Sequence, residues 1–224
     1  MRSEKGFPFF SLTPAEAIAI QQRDRHKVSL EDGFGKLEFI GGSDVSSSGD
    51  DFFAAFVVLS YPELELVEVA TAFGESPFPY IPGLLSFREI PILLEAWDKL
   101  SRRPDLVLVD GQGIAHPRRF GIASHLGVTL DLPTIGCGKS RLIGKYQEPG
   151  LNRGDSSVLS DKGEEIGRVL RTKNKVSPLF ISPGHKVSLG SAVSIVLSCC
   201  TRYRLPEPTR LAHLQANAAR KQAF

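Results

Sequence analysis

Residues 36–73 read KLEFIGGSDVSSSGDDFFAAFVVLSYPELELVEVATAF. Three runs within it, 36–45, 51–60 and 64–73, are rich in aromatic and β-branched residues, and their joints carry Ser, Gly, Asp or Pro. Apolar runs separated by short turn-forming joints predict an antiparallel three-strand meander. The pattern then changes. DLVLVD (105–110) is a short continuous apolar run of the kind buried on both faces of a sheet. A helical stretch to about Leu100 precedes it; a helix near 118–127 and a strand at TIGCG (134–138) follow. A loop-rich basic stretch then leads to a strand at PLFIS (178–182), a helix over 187–200, and a last helix from Pro208 to about Arg220. Upstream, Thr13-Pro14-Ala15-Glu16 opens a helix that should reach about residue 28: threonine caps, proline suits the first position and glutamate closes the box. No repeat or linker interrupts this order. The expectation is one α/β domain over residues 1–224, with a mixed central sheet, antiparallel meander first and parallel strands afterwards, flanked by helices.

The composition narrows the class. At 224 residues the chain can bury one sizeable core, and 42% hydrophobic content is ordinary for a globular protein. A net charge of +2 makes any nucleic-acid surface a local patch. Basic residues do gather: Arg118 with Arg119; Lys139, Arg141 and Lys145; then Arg168, Arg171, Lys173 and Lys175. Cys137, Cys199 and Cys200 form neither a disulfide framework nor a CxxC pair, which fits a reducing, cytoplasmic setting. The longest apolar run, FFAAFVVL (52–59), is far below the roughly 20 residues of a membrane span, so no membrane role is expected.

Three carboxylates stand where chemistry is usually placed. Asp44 closes the first predicted strand and Asp110 closes DLVLVD, and ligands of open α/β sheets bind at the carboxyl ends of strands. Glu89 lies on the helix between them, in line with Leu93, Ala96 and Leu100, so its carboxyl should face the sheet. Converging carboxylates need a proton or a cation, and oxygen ligands without a Cys/His set favour Mg²⁺ or Mn²⁺. The residues alone leave a second reading open, in which Ser86-x-x-Glu89 is a capping box and Asp44 and Asp110 belong to turns. Two phosphate motifs fail. PTIGCGKS (133–140) has Pro133 where a P-loop needs its first glycine, and DGQGIAH (110–116) has His116 at the third glycine of a dinucleotide fingerprint.

PYIPGLLSFREIP (79–91), DLVLVDGQGIAHPRRFGIASHLG (105–127), LPTIGCGKSRL (132–142) and RLPEPTRLAH (204–213) occur in this order. With these four blocks the sequence resembles bacterial endonuclease V from about residue 12 to the end. The resemblance implies a ribonuclease H-like fold and a metal-dependent DNA repair nuclease specific for deoxyinosine. It implies cleavage at the second phosphodiester bond 3′ to the lesion, leaving 3′-hydroxyl and 5′-phosphate, and a monomer that uses Mg²⁺, with Mn²⁺ as a substitute. It places the metal ligands on Asp44, Glu89 and Asp110. Lys139 and His213 fall beside the scissile phosphate, with His116 nearby. Pro79, Tyr80, Ile81 and Pro82 form a wedge that fills the vacated base stack.

For a base taken out of the duplex, the expected pocket is Gly83, Gly111 and Gly136, with Leu85 and Leu142 as apolar walls. Arg118, Arg119 and the 168–175 cluster are expected to hold phosphates. Two alternatives of related chemistry stand beside this reading: an inosine-specific ribonuclease, and a non-catalytic binder of inosine-containing or branched nucleic acid. The chain departs from the family pattern at Ser46-Ser47-Ser48, where an aromatic is expected, and at Cys137-Gly138, which replace an aliphatic–alanine pair.

Overall fold

The segment that opens the sequence reading folds as β1 (Phe39–Ser48), β2 (Asp51–Ser60) and β3 (Leu66–Glu75), a fully antiparallel meander, in a computed structural model that describes residues 12–76 and 78–223. Before it lies α1 (Pro14–Asp24), opened by the expected capping box on Thr13 and Glu16 and extended by a 3₁₀ turn over Arg25–Lys27. After it come α2 (Ser86–Asp98), β4 (Leu106–Val109), α3 (Ile122–Leu130) and β5 (Thr134–Gly138). The chain continues through β6 (Ser156–Asp161), β7 (Glu164–Leu170), β8 (Leu179–His185), α4 (Leu189–Ser198) and α5 (Glu207–Ala223). The eight strands make one sheet in the order β3-β2-β1-β4-β5-β8-β7-β6, parallel only at β1–β4 and β4–β5.

Alternation along the strands builds a core on each face, because successive side chains point to opposite sides. Val57, Leu59, Leu106 and Leu108 join Val196 of α4 and Ala212 of α5 in one cluster. Phe56, Val58, Val107 and Val109 join Leu93 of α2 and Leu126 of α3 in the other. The α/β expectation with helices on both faces therefore holds. Two details differ. The loop-rich basic stretch contains the β6–β7 hairpin, whose turn uses Lys162 (φ 54°) and Gly163 (φ 82°). Its apolar positions are sparse: Leu159, Ile166 and Val169 face a small core completed by Ala115 and Phe180, and Leu170 at the end of β7 reaches the larger cluster. Asp44 also does not end its strand: β1 continues to Ser48, paired with β2 throughout. What ends beside Asp44 is the parallel ladder to β4, whose final pair is Ser43 with Val109.

One glycine sets how α5 meets the sheet. A Cβ on Gly42 would lie 2.1 Å from the Pro208 carbonyl oxygen, so the first turn of α5 rests directly on the β1 backbone. That contact brings α5 close enough for His213 to reach Asp44, two residues further along β1 on the same face. Gly42→Ala is expected to cost about 1–3 kcal/mol by overpacking, read from urea unfolding, and to lower metal affinity by displacing α5. Unchanged stability would show that α5 yields there without strain.

Candidate metal centre and base pocket

Asp44 and Asp110 meet where β4 stops. The Asp110 amide donates to the Ser43 carbonyl at 3.2 Å, which holds the two residues side by side as the ladder ends. His213, from α5, places Nδ1 2.7 Å from Asp44 Oδ2. Asp44, Asp110 and His213 each offer a ligand atom, and these atoms all lie within 4.8 Å of one another. Lys139, one residue past β5, pairs its ammonium with the Asp110 carboxylate. Glu89 stands on α2 with its side chain half-buried, and its helix opens without a side-chain cap, so the capping-box reading of Ser86-x-x-Glu89 does not apply.

The electrostatics show an unbalanced site. Burial, then Asp110, push the Asp44 carboxyl up to about 6, against the lowering effect of His213 and Lys139. Burial, then Asp44 and Asp110, push Glu89 up to about 8, with Arg88 opposing. Glu89 thus feels both aspartates, although the compact donor set among the described residues is Asp44, Asp110 and His213. Oxygen-rich donors whose charge is only partly met by one lysine suit a hard divalent cation. A relay fixes the histidine. Ser46 Oγ donates to Asn217 Oδ1 at 2.9 Å, and Asn217 Nδ2 donates to His213 Nε2 at 3.0 Å. Nε2 is then the acceptor and the proton sits on Nδ1, aimed at Asp44.

Beside the centre opens a cavity of about 380 Å³. Gly83, Leu85, Gly121 and Ile122 line it, and Asp110, Gly111 and Lys139 join it to the carboxylates. Tyr80 stands at its rim, 67% exposed, with the Arg88 guanidinium 5.9 Å from its ring centre.

The chain matches the family model described as Endonuclease V over residues 22–214. An endonuclease V from Dehalococcoides mccartyi is 52% identical over 209 residues, 92% of this chain and 94% of that one. The chain belongs to the endonuclease V family. The crystal structure of the Streptomyces avermitilis endonuclease V matches with a TM-score of 0.91 at 44% identity, covering 96% of each chain. That of Ciona intestinalis endonuclease V, in complex with a 23mer DNA containing an inosine followed by a ribo-adenosine, matches at 0.84 and 32%, covering 95% of this chain and 100% of that one. The fold is therefore ribonuclease H-like, and the chain is a nuclease that hydrolyses DNA phosphodiester bonds, as endonuclease V proteins are.

Within this endonuclease V fold most of the expected site residues converge, and some do not. Pro82, Gly83, Leu85, Gly111 and Leu142 line the cavity with Tyr80 and Ile81. Gly136 instead lies behind it, where a Cβ would meet the Gly113 amide at 2.4 Å. His116 lines the cavity too; it is largely buried, and burial followed by Arg118 lowers its pKa to about 4, so it is neutral. Arg118 binds the Gly83 carbonyl at 2.7 Å. Arg119 is engaged with Asp161 and Glu164, and Arg171 with the Gly150 and Pro149 carbonyls and Glu148. These guanidiniums hold loops together. Sequence reasoning placed Glu89 among the ligands and His213 beside the phosphate; the geometry brings His213 into ligand range. It missed Asn217, although His213-x-x-x-Asn217 is a visible i,i+4 pair on one helix face. No helix among the described residues is long and apolar enough to cross a membrane.

The two raised carboxyl pKa values predict a pH response of the metal-free protein. Folding favours the protonated forms, so their contribution is complete below the ordinary carboxylate values. It is lost as pH rises through about 6 for Asp44 and about 8 for Glu89. In chelator, the melting temperature should fall between about pH 4 and about pH 8, and Glu89→Gln should flatten the upper part of that fall. A variant that tracks the parent across the whole range would remove Glu89 from the cluster.

Proposed function

We propose that this chain, acting as one domain and as a monomer, nicks DNA at deoxyinosine, cutting the second phosphodiester bond 3′ to the lesion with Mg²⁺, or Mn²⁺ in its place. The observation that carries the reading is the shared wall: Asp110 and Lys139 line the base cavity and also belong to the carboxylate centre. A base in the cavity therefore brings its own strand to the metal centre. The Ciona relative in complex with inosine-containing DNA supports the substrate class.

Each residue has a role that follows from its place. Asp44 and Asp110 would hold the ion, with Glu89 as a further carboxylate that gives up its proton when positive charge arrives, and His213, whose Nδ1 proton is aimed at Asp44, would orient that carboxylate. When bound, the ion supplies a water nucleophile at neutral pH and stabilises charge on the phosphate oxygens. Lys139 leaves Asp110 for the incoming phosphate, an exchange of one anionic partner for another. Asn217 keeps His213 Nε2 an acceptor and its proton on Nδ1. Tyr80, exposed on a proline-flanked loop, takes the gap left in the duplex, where aromatic stacking on a base is worth roughly 1–3 kcal/mol. Prolines on both sides restrict the loop beforehand, so less entropy is lost on binding. Hypoxanthine lacks the adenine amino group, and a glycine-lined wall admits backbone groups close enough to select by fit.

The test is a nicking assay on matched duplexes with inosine, uracil or adenine, in DNA and in RNA, with Mg²⁺ and with Mn²⁺. Inosine-DNA cleavage with 3′-hydroxyl ends is expected, abolished in Asp44→Ala and Asp110→Ala. Parent-level cutting by both variants would move the centre elsewhere, and faster cleavage of inosine RNA would make the chain a ribonuclease. Tyr80→Ala should weaken lesion binding about tenfold or more with Mn²⁺ affinity unchanged; a parallel loss of metal binding would make Tyr80 structural.

A further inference from the structure

Gln21 lies on α1 and is fully buried, yet it is bound to two segments that contribute to the cavity lining. Its Nε2 donates to the Gly83 carbonyl at 3.0 Å and to the Phe120 carbonyl at 3.2 Å, and its Oε1 accepts from Arg118 Nε. Gly83 lines the cavity, and Phe120 immediately precedes Gly121 and Ile122, which line it as well. The Gly83 carbonyl receives two further donors, His116 Nε2 at 3.0 Å and Arg118 at 2.7 Å. The Arg118 amide donates to His116 Nδ1, so Nε2 carries the imidazole proton and donates. One carbonyl with three donors is held firmly, in a loop that has no strand to anchor it. Gly83 itself has φ 81°, and a Cβ there would meet Arg118 at 2.9 Å, so neither the backbone nor its clamp has room to drift.

We propose that Gln21 is a positioning residue for base selection: by tying Gly83 to Phe120 it sets the width of the pocket that receives the flipped base. It touches neither the base nor the carboxylates, and it acts through the two carbonyls. His116 and Arg118, expected from sequence to contact phosphate, are the other members of this clamp. A pocket of fixed width separates bases by fit and by the hydrogen bonds that fit allows; a pocket free to widen loses that discrimination first. This inference rests on the proposed inosine-directed activity.

The experiment compares parent, Gln21→Leu and Gln21→Glu. The leucine removes both donors and the acceptor. The glutamate keeps the shape and the contact with Arg118 but cannot donate to either carbonyl, and it carries the test if the leucine variant does not fold. The measurements are kcat and KM on hypoxanthine- and uracil-containing duplexes, melting temperature with and without Mn²⁺, and Mn²⁺ affinity by calorimetry. In the variants, selectivity for hypoxanthine over uracil should fall about tenfold, mainly through KM, the size of effect expected from losing one or two buried hydrogen bonds. Mn²⁺ affinity should stay at the parent value. A selectivity ratio unchanged in a folded variant overturns the proposal, as does a loss shared equally by both substrates together with Mn²⁺ affinity. If the parent itself shows no preference for hypoxanthine, the functional reading fails, and that result is separate from any effect of Gln21.

Discussion

The structure is organised around a concentration of negative charge that it cannot neutralise by itself. Asp44 and Asp110 are held together by the end of the β1–β4 ladder, and Glu89 approaches from α2. Charge taken out of water is costly unless paired, and like charges make it worse. Lys139 and His213 answer part of that repulsion, and raised carboxyl pKa values record the rest. The arrangement is tolerable with protons and relaxed with a divalent ion. Stability is given up at the place where charge must later be stabilised, a pattern common at functional sites.

Close backbone packing makes this concentration possible. Gly42 lets α5 rest on β1, and without that approach His213 would stand away from Asp44. Gly136 lets the β5 backbone press against the loop that follows Asp110, and Gly113 lets that loop press against β8. The pocket wall and the carboxylate centre are therefore successive residues of one tightly backed segment, Asp110 and Gly111. The cavity and the carboxylate centre consequently share a frame, with Tyr80 and the Gly83 clamp both in the cavity lining.

Much of the fold was legible because its elements repeat strong local signals. The meander from Lys36 to Phe73, the α1 capping box and DLVLVD each joined periodicity to turn or cap chemistry. The β6–β7 hairpin was not, because an edge hairpin needs apolar residues on one face only and its turn uses Lys162-Gly163 in place of the commoner Asn-Gly. The Asp44 position was legible as a carboxylate near a strand end, but β1 outlasts its parallel neighbour, and pairing registers are not written in one strand. Of the site, Asp44, Asp110 and Glu89 stood out because carboxylates are rarely left among apolar residues. Arg118, Arg119 and Arg171 looked like phosphate ligands because a sequence gives charge without showing its partner.

By itself the sequence determined the α/β class, the order of the elements, the carboxylate types and the stiffened Tyr80 loop, because these follow from neighbours within a few positions along the chain. The tertiary structure alone decided which groups meet: His213 with Asp44 across 169 positions, Gln21 with Gly83 across 62, and Arg119 with Glu164 across 45. Those pairings depend on how helices pack on the sheet, where glycines such as Gly42 allow a backbone to come near. Local propensity holds no record of that distance, which is why Gln21 is an ordinary helix residue in the sequence and a bridge between two cavity-lining segments in the fold.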